Sequence, residues 1–299
     1  MSITVETHPL ISIRSTATVQ EAARLMADCS IGALGVLGPE KKFTGLVTER
    51  DLSWFVAQDG TPSETRVSEI VNDFPVVMDG PVSDADALER MKAARIRHLI
   101  VREETDFQIV SLRDLIPHRD VDDGSGPTAR DLMTAPAVAC LEEAFFEEIA
   151  EILAERDISG MPVVDREGKV VGVISERDLA HVLGGPMVRL AVRSHRHGSF
   201  MRANDLPRNR RRARDVMTTP PVMVGPEEEI EGLARLMRVH QINRVPVVES
   251  GRLIGVVTRG DVLGAVGHLT IAQKDLVQPP VLVGSTGIYP ATYAEGETI

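Results

Sequence analysis

Short β-branched runs alternate along the chain with stretches whose apolar positions recur at helical spacing, and the alternation comes round four times. The clearest turn of the cycle lies between Ile158 and Leu179. Residues 158–164 and 170–174 are two β-branched runs on either side of a charged turn, Asp165-Arg166-Glu167-Gly168-Lys169, which predicts a hairpin; Ser175-Glu176-Arg177-Asp178 then predicts the start of a helix. Three other segments end in the same phrase: Gly45-Leu46-Val47-Thr48-Glu49-Arg50-Asp51, Gln108-Ile109-Val110-Ser111-Leu112-Arg113-Asp114 and Gly255-Val256-Val257-Thr258-Arg259-Gly260-Asp261. Asp51, Asp114 and Asp178 stand 63 and 64 residues apart, and Asp261 follows after 83. That period exceeds the common solenoid repeats and reads as four small domains.

Each copy predicts the same order. In repeat 1 (residues 1–60) an extended piece at 8–13 precedes a helix opened by Thr18 and Glu21 at capping-box spacing, with Val19, Ala22, Ala23 and Met26 on one face. A hairpin at 34–37 and 43–47 and a short apolar helix at 52–56 close the unit. Repeat 2 (63–121) has an extended piece at 74–78, a helix at 83–95, and strands at 96–101 and 109–110. It diverges most, with Gln108 in place of Gly and Ile100 where repeats 3 and 4 carry Pro162 and Pro246. Residues 122–127 are polar and rich in breakers, a linker that halves the chain. Repeats 3 (128–184) and 4 (213–268) open with nearly the same words, Ala129-Arg130-Asp131-Leu132-Met133-Thr134-Ala135-Pro136 and Ala213-Arg214-Asp215-Val216-Met217-Thr218-Thr219-Pro220. Acidic first turns from about Glu142 and Glu227 suit the dipoles of the helices expected there. Between them an insertion (185–212) is Arg-rich, with nine arginines from Arg189 to Arg214 against Asp205 alone. The tail (269–299) runs through Pro279-Pro280 and Pro290 with little periodicity and reads as disordered or an arm.

Modules of about 60 residues bury too little surface to stand alone, so the repeats should pair. Residues 1–123 are then expected to fold as a unit, and 1–62 not. A net charge of −11 opposes nonspecific binding to nucleic acid or anionic membrane, and one Trp and two Tyr leave little for a base-stacking surface. With neither a leader nor a long apolar run, the cytoplasm is the expected location, without membrane attachment. Cys29 and Cys140 fall at different points of their repeats and read as reduced core residues. The Arg-rich insertion reads as a solvated connector. Nucleic acid is not an expected partner, since Phe200 is its lone aromatic; contact with acidic faces in self-association is an alternative. His181, His195 and His197 lack the spacing of a metal site.

The β-α-β-β-α order, the Ile-x-x-aliphatic-Pro-Val strand, the Gly-aliphatic-aliphatic-Ser/Thr-x-x-Asp exit and the Asp-aliphatic-Met-Thr opening together resemble the cystathionine-β-synthase (CBS) domain, over about residues 7–266. The resemblance implies an α/β (α+β) fold of four CBS repeats paired into two pseudo-twofold modules, about 1–121 and 128–268. It also implies clefts between paired repeats for adenine-containing ligands: AMP, ADP, ATP or S-adenosylmethionine. No cofactor is required. By that resemblance the purine pocket of the second module is lined by Thr134, Pro136, Thr218, Pro220 and the strand starts Ile158, Ser159, Gly160, Met161 and Ile242, Asn243, Arg244, Val245.

The residues themselves make a physical case. An ionised Asp at a helix start accepts hydrogen bonds from ribose hydroxyls, while the Ser/Thr hydroxyl and nearby N–H groups meet phosphate. This makes candidates of Ser175, Arg177 and Asp178, and of Thr258 and Asp261. Thr48 with Asp51 and Ser111 with Asp114 are the first-module counterparts. The same Ser/Thr-x-x-Asp phrase equally describes a helix cap with no ligand. The two residues after the first Ile of the strand alternate by parity: Gly32-Ala33 and Ser159-Gly160 are small, Arg97-His98 and Asn243-Arg244 basic. Pairing 1 with 2 and 3 with 4 joins a small copy, with room for ligand, to a basic copy suited to phosphate. A solvated-edge role is the alternative for the arginines. No P-loop, strand-linked Gly-x-Gly-x-x-Gly or nucleophile elbow points to catalysis. The expectation is a stand-alone sensor, a homodimer acting on an unidentified protein in trans; a ligand-free scaffold is the alternative.

Overall fold

The computed structural model describes residues 4–58, 60–103, 106–115, 126–184 and 211–266, and the backbone of 281–284 and 287–290. Most of the Arg-rich insertion and of the 122–127 linker lie outside the described residues. Repeat 1 contains β2 (Ser12–Arg14), α1 (Val19–Cys29), β3 (Ala33–Leu37), β4 (Phe43–Thr48) and α2 (Glu49–Ala57); the preceding β1 (His8–Pro9) belongs elsewhere. Repeat 2 contains β5 (Val77–Asp79), α3 (Asp84–Ala93), β6 (His98–Glu103) and β7 (Asp106–Ser111). Repeat 3 opens with α4 (Ala129–Leu132) and runs through β8 (Val138–Leu141), α5 (Phe146–Glu155), β9 (Gly160–Val164), β10 (Val170–Ser175) and α6 (Glu176–Gly184). Repeat 4 follows with α7 (Ala213–Val216), α8 (Ile230–Val239), β11 (Arg244–Glu249), β12 (Arg252–Thr258) and α9 (Arg259–Val266).

In each copy the strand before the first helix pairs in parallel with the strand after it, and that strand turns back as an antiparallel hairpin. Repeat 4 keeps its first strand only as a parallel bridge from Val224 to Val247. Capping works as the spacing predicts: Thr18 and Glu21 form a reciprocal box, and Val19, Ala22, Ala23 and Met26 are buried. The tail corrects one expectation. Val281–Gly284 (β13) and Gly287–Pro290 (β14) form a hairpin, and β13 lies parallel to β8, extending the sheet of repeat 3.

Glycine in the exit phrase has a packing reason. A Cβ on Gly172 would come within 2.4 Å of Met217 Sδ, one on Gly255 within 2.4 Å of Met133 Sδ, and one on Gly45 within 2.4 Å of Asn72 O. Met217 and Met133 belong to the lead-in segments of the neighbouring repeats, which cross over. Thus α7 packs on repeat 3, with Ala213 N–H donating to Ala144 O at 2.8 Å, while α4 packs on repeat 4 with Thr134 bridged to Val256. Residues 4–9 likewise pack on repeat 2, β1 pairing with β7 beside Gln108. The repeats as spelled in the chain therefore differ from the units that pack.

Sheets pair 1 with 2 and 3 with 4. Ala33, Leu46 and Ile100 fill the first sheet interface, and Ala137, Ala139, Val164, Val170, Leu253 and Val256 the second. Helices pair differently. Phe55 and Met26 of repeat 1 share one core with Phe146, Leu153 and Leu183 of repeat 3, and Met91 and Leu99 of repeat 2 share another with Leu233, Met237 and Leu263 of repeat 4. The four repeats close into a ring, each sharing its sheet interface with one neighbour and its helix core with another. Cut away from the rest of the chain, residues 1–123 would leave the apolar faces of α1 and α2 in water.

Candidate functional site

The four exits converge on the middle of the ring, and each is a capped helix start or turn. Both the N–H and the hydroxyl of the Ser/Thr donate to one carboxylate oxygen of the Asp. The distances are 2.7 and 2.7 Å at Thr48/Asp51, 2.7 and 2.8 Å at Ser111/Asp114, 2.8 and 2.7 Å at Ser175/Asp178, and 2.8 and 2.6 Å at Thr258/Asp261. Capping thus takes Oδ2 in every copy and leaves Oδ1 for other partners. Asp178 Oδ1 accepts from the Thr218 hydroxyl at 3.2 Å, and Asp114 Oδ1 lies 3.5 Å from His8 Nε2. Burial pushes the Asp178 carboxyl up and the hydrogen bonds from Ser175 and Thr218 pull against it; Asp51 is likewise raised by burial.

Three cavities open around this centre. Cavity 1, about 300 Å³, holds Thr134, Ile158, Ser159, Gly160, Asn243, Arg244 and Thr258, with Arg97, His98 and Ser111 from the first module. Cavity 2, about 250 Å³, gathers Ser175, Arg177, Asp178, Thr218, Pro220 and Ile242, and shares Ser159, Asn243, Arg244 and Arg97 with cavity 1. Cavity 3, about 600 Å³, lies in the first module between Ile31, Gly32, Ala33, His98, Ser111 and Asp114, and Arg238, Gln241 and Arg259 of repeat 4 reach into it. Six sequence candidates stand apart from these walls or deeper. Met161 and Val245 are core side chains, and Pro136, Asp261 and the Thr48/Asp51 pair line none of the three.

Parity at the strand starts has an unexpected use. The Arg244 guanidinium lies over Gly160, where a Cβ would come within 1.5 Å of Nη1, and its Nη2 donates to Ser159 Oγ. His98 lies similarly over Gly32, 3.2 Å from an added Cβ. The small copy makes room for the basic side chain of its pair rather than directly for a ligand. Arg97 is not a solvated edge either, since it pairs with Glu176, which is 2% exposed.

Arg177 apart, sequence reasoning missed the two residues between Ser/Thr and Asp, which decide the charge at the centre. On the side of repeats 1 and 3 they read Glu-Arg twice and lock reciprocally: Arg177 Nε lies 3.3 Å from Glu49 Oε1, and Arg50 Nε 3.6 Å from Glu176 Oε1. On the side of repeats 2 and 4 they read Leu112-Arg113 and Arg259-Gly260, and the glutamates are gone. Arg259 instead donates to the carbonyls of Met237, Ile242 and Arg113, at 3.0, 2.7 and 3.2 Å. The signal was available, because Arg259 stands where two sister copies carry Glu. Burial and neighbouring arginines lower Arg244 and Arg259 to about 10 and His98 to about 3, so both arginines stay charged at neutral pH and the imidazole stays neutral. Among the described residues, Arg244 Nη1 and Arg259 Nε are buried without an acceptor.

Comparison with known proteins fits this geometry. The CBS-domain profile matches residues 3–57, 129–185 and 213–268, together more than half of the chain. The chain belongs to the CBS-domain family. The match leaves out repeat 2, the copy with Gln108, although the described residues of that segment of this CBS-domain protein follow the same order from the first strand through the first helix to the hairpin. The uncharacterized protein MJ1426 of Methanocaldococcus jannaschii is 33% identical over 152 residues, 46% of this chain and 89% of that protein. An uncharacterized 33.4 kDa protein in a ribosomal RNA operon of Thermofilum pendens is 29% identical over 234 residues, 70% of this chain and 69% of the relative. Among solved structures, protein MJ1225 of Methanocaldococcus jannaschii superposes with a TM-score of 0.71 at 18% identity, over 87% of this chain and 96% of that one, a likeness of fold. Among the described residues no helix is long and apolar enough to cross a membrane, and no group of three His, Cys, Asp or Glu side chains is placed to hold a metal.

Proposed function

We propose that this CBS-domain protein is a regulatory sensor that binds an adenine nucleotide or related adenosyl ligand in the clefts between paired repeats and signals to a protein partner in trans. The observation that carries the reading is cavity 2, where one wall offers Asp178 Oδ1 and the Thr218 hydroxyl and the other offers the unsatisfied Nη1 of Arg244. The first pair suits the two hydroxyls of a ribose, Thr218 being able to turn away from Asp178; the last suits a phosphate. Pro220, Val173 and Ile242 supply an apolar wall for a base. Unmatched arginines at the centre favour AMP, ADP or ATP over S-adenosylmethionine, whose sulfonium is a cation. Cavity 1, with Thr134 and Thr258, and cavity 3, with Ser111 and Asp114, are further candidate clefts of the same kind.

The sensor is proposed to work in the cytoplasm. A homodimer has less to gain than the sequence suggested, because each module's helix faces are already covered by the other module of the same chain. The test is a thermal-shift series with AMP, ADP, ATP and S-adenosylmethionine, followed by calorimetry on any that act. A ligand that binds only the folded protein stabilises it by about 2.7 kcal/mol at ~100 times its dissociation constant. Stabilisation by the phosphorylated nucleotides is expected; none with any of the four would leave a scaffold held together by its repeats.

A further inference from the structure

Arg244 is the wall between cavities 1 and 2, and it lines both. At 7% exposure it is held in a slot, with Gly160 beneath the guanidinium and Ser159 Oγ on Nη2, while Nη1 has given up water and found no acceptor. The two cavities depend on it unequally. In cavity 2 the other arginines are Arg97 and Arg177, both engaged by glutamates. Cavity 1 has Arg113 and Arg259 as well, on the side of the ring that lacks glutamates. A phosphate in cavity 2 therefore needs Arg244, whereas one in cavity 1 draws on it together with others. Pinned by Ser159 and Gly160, the guanidinium cannot follow either ligand fully, and two phosphates on its opposite faces would repel across a single positive charge.

We propose that Arg244 couples the two clefts of the second module antagonistically: an anionic ligand in one neutralises the single positive charge on which the other also draws, so phosphorylated nucleotides bind there with negative cooperativity. This rests on the nucleotide-binding reading above. Coupling of this kind is reciprocal, so whichever cleft fills first weakens the other by the same factor. Neutral nucleosides, which make no demand on Arg244, should fill the clefts independently. Arg244 is not among the residues lining cavity 3, which gives an internal reference.

The experiment titrates the full chain calorimetrically with AMP and, in parallel, with adenosine. The expected result is that the weaker AMP step falls roughly 10-fold or more below what the adenosine steps predict. Arg244→Gln should bring the ratio of AMP steps to that of adenosine, and Arg244→Lys, which keeps the charge in the slot, should preserve the coupling. Should the Gln variant fail to fold, the comparison of AMP with adenosine in the wild type still decides. Independent AMP steps in the wild type, or unequal steps that persist in a folded Arg244→Gln, overturn the coupling while nucleotide binding stands. Absence of binding by either ligand overturns the functional reading, and the coupling falls with it.

Discussion

Replacing Gly160 by Ala adds one methyl group at the most crowded point of the ring. The new Cβ would lie 1.5 Å from Arg244 Nη1 and 2.3 Å from Ile174 O. The side chain can yield only by giving up Ser159, but the carbonyl cannot yield, because Ile174 and Ser175 pair with Met161 and Gly160 across the β9–β10 hairpin. Gly160 also has φ 152°, where a side chain is strained. Backbone strain of that kind costs ~1–3 kcal/mol and overpacking a core ~1–3 kcal/mol, so the expected destabilisation is roughly 2–6 kcal/mol. A single domain holds only about 5–15 kcal/mol in total. Urea unfolding followed by circular dichroism measures it, with Gly32→Ala as the control. There the nearest atoms, His98 Nε2 at 3.2 Å and Glu49 Oε2 at 3.3 Å, are ends of side chains, and less than about 1 kcal/mol should be lost. A Gly160→Ala protein within 0.5 kcal/mol of wild type would refute the account of small and basic residues at the strand starts.

Asp178→Ala should weaken nucleotide binding about ten- to hundred-fold, the loss of a hydrogen bond to a charged group, and cost the α6 start roughly 1 kcal/mol, so calorimetry and a melt are needed together. His98, whose folded pKa is lowered to about 3 from 6.5, gives stability that is present above pH 6.5 and lost as pH falls toward 3, since the unfolded chain takes up the proton first. Between pH 6.5 and 5 that amounts to as much as ~2 kcal/mol, and a denaturant midpoint in His98→Gln that falls just as steeply as in wild type would contradict it. Residues 1–123 made alone should self-associate through α1 and α2, or bind added 126–299; sedimentation showing a stable monomeric fragment that ignores the other half would argue against the crossed helix layers.

What could be read in the sequence was what neighbouring residues encode. Thr18 with Glu21, and Ser175 with Asp178, fix helix starts by hydrogen bonds three residues apart, so four repeats and their element order were legible. Pairing of sheets followed from repeat size and the parity of Gly160 and Arg244. The helix layers did not follow, because Val19, Ala22 and Met26 state that a face is covered without stating which repeat covers it. Gly172 and Gly255 marked a close approach but not the identity of Met217 and Met133 above them. Arg259 was less legible because the exit phrase repeats at its ends, Ser/Thr and Asp, whereas the charge of the centre is set by the two residues that vary between them. The β13–β14 hairpin escaped because four-residue strands among prolines have too few positions to show a period.

The crossed lead-in segments bear on the order in which the protein can be finished during synthesis. Repeat 3 ends at Gly184 by its own elements, yet the carbonyl of Ala144 and the strand edge at Val173 wait for Ala213 and Thr218, which are made later. At about 5–20 residues per second a ribosome needs a few seconds to supply them. Repeat 3 therefore passes through a stage in which its first-made parts are complete and its cover is still unmade. Repeat 2 has the opposite history, because residues 4–9, which cover it, are made first and must stay available until β7 emerges. The chain is thus threaded so that neither module can be sealed before all of its sequence is out.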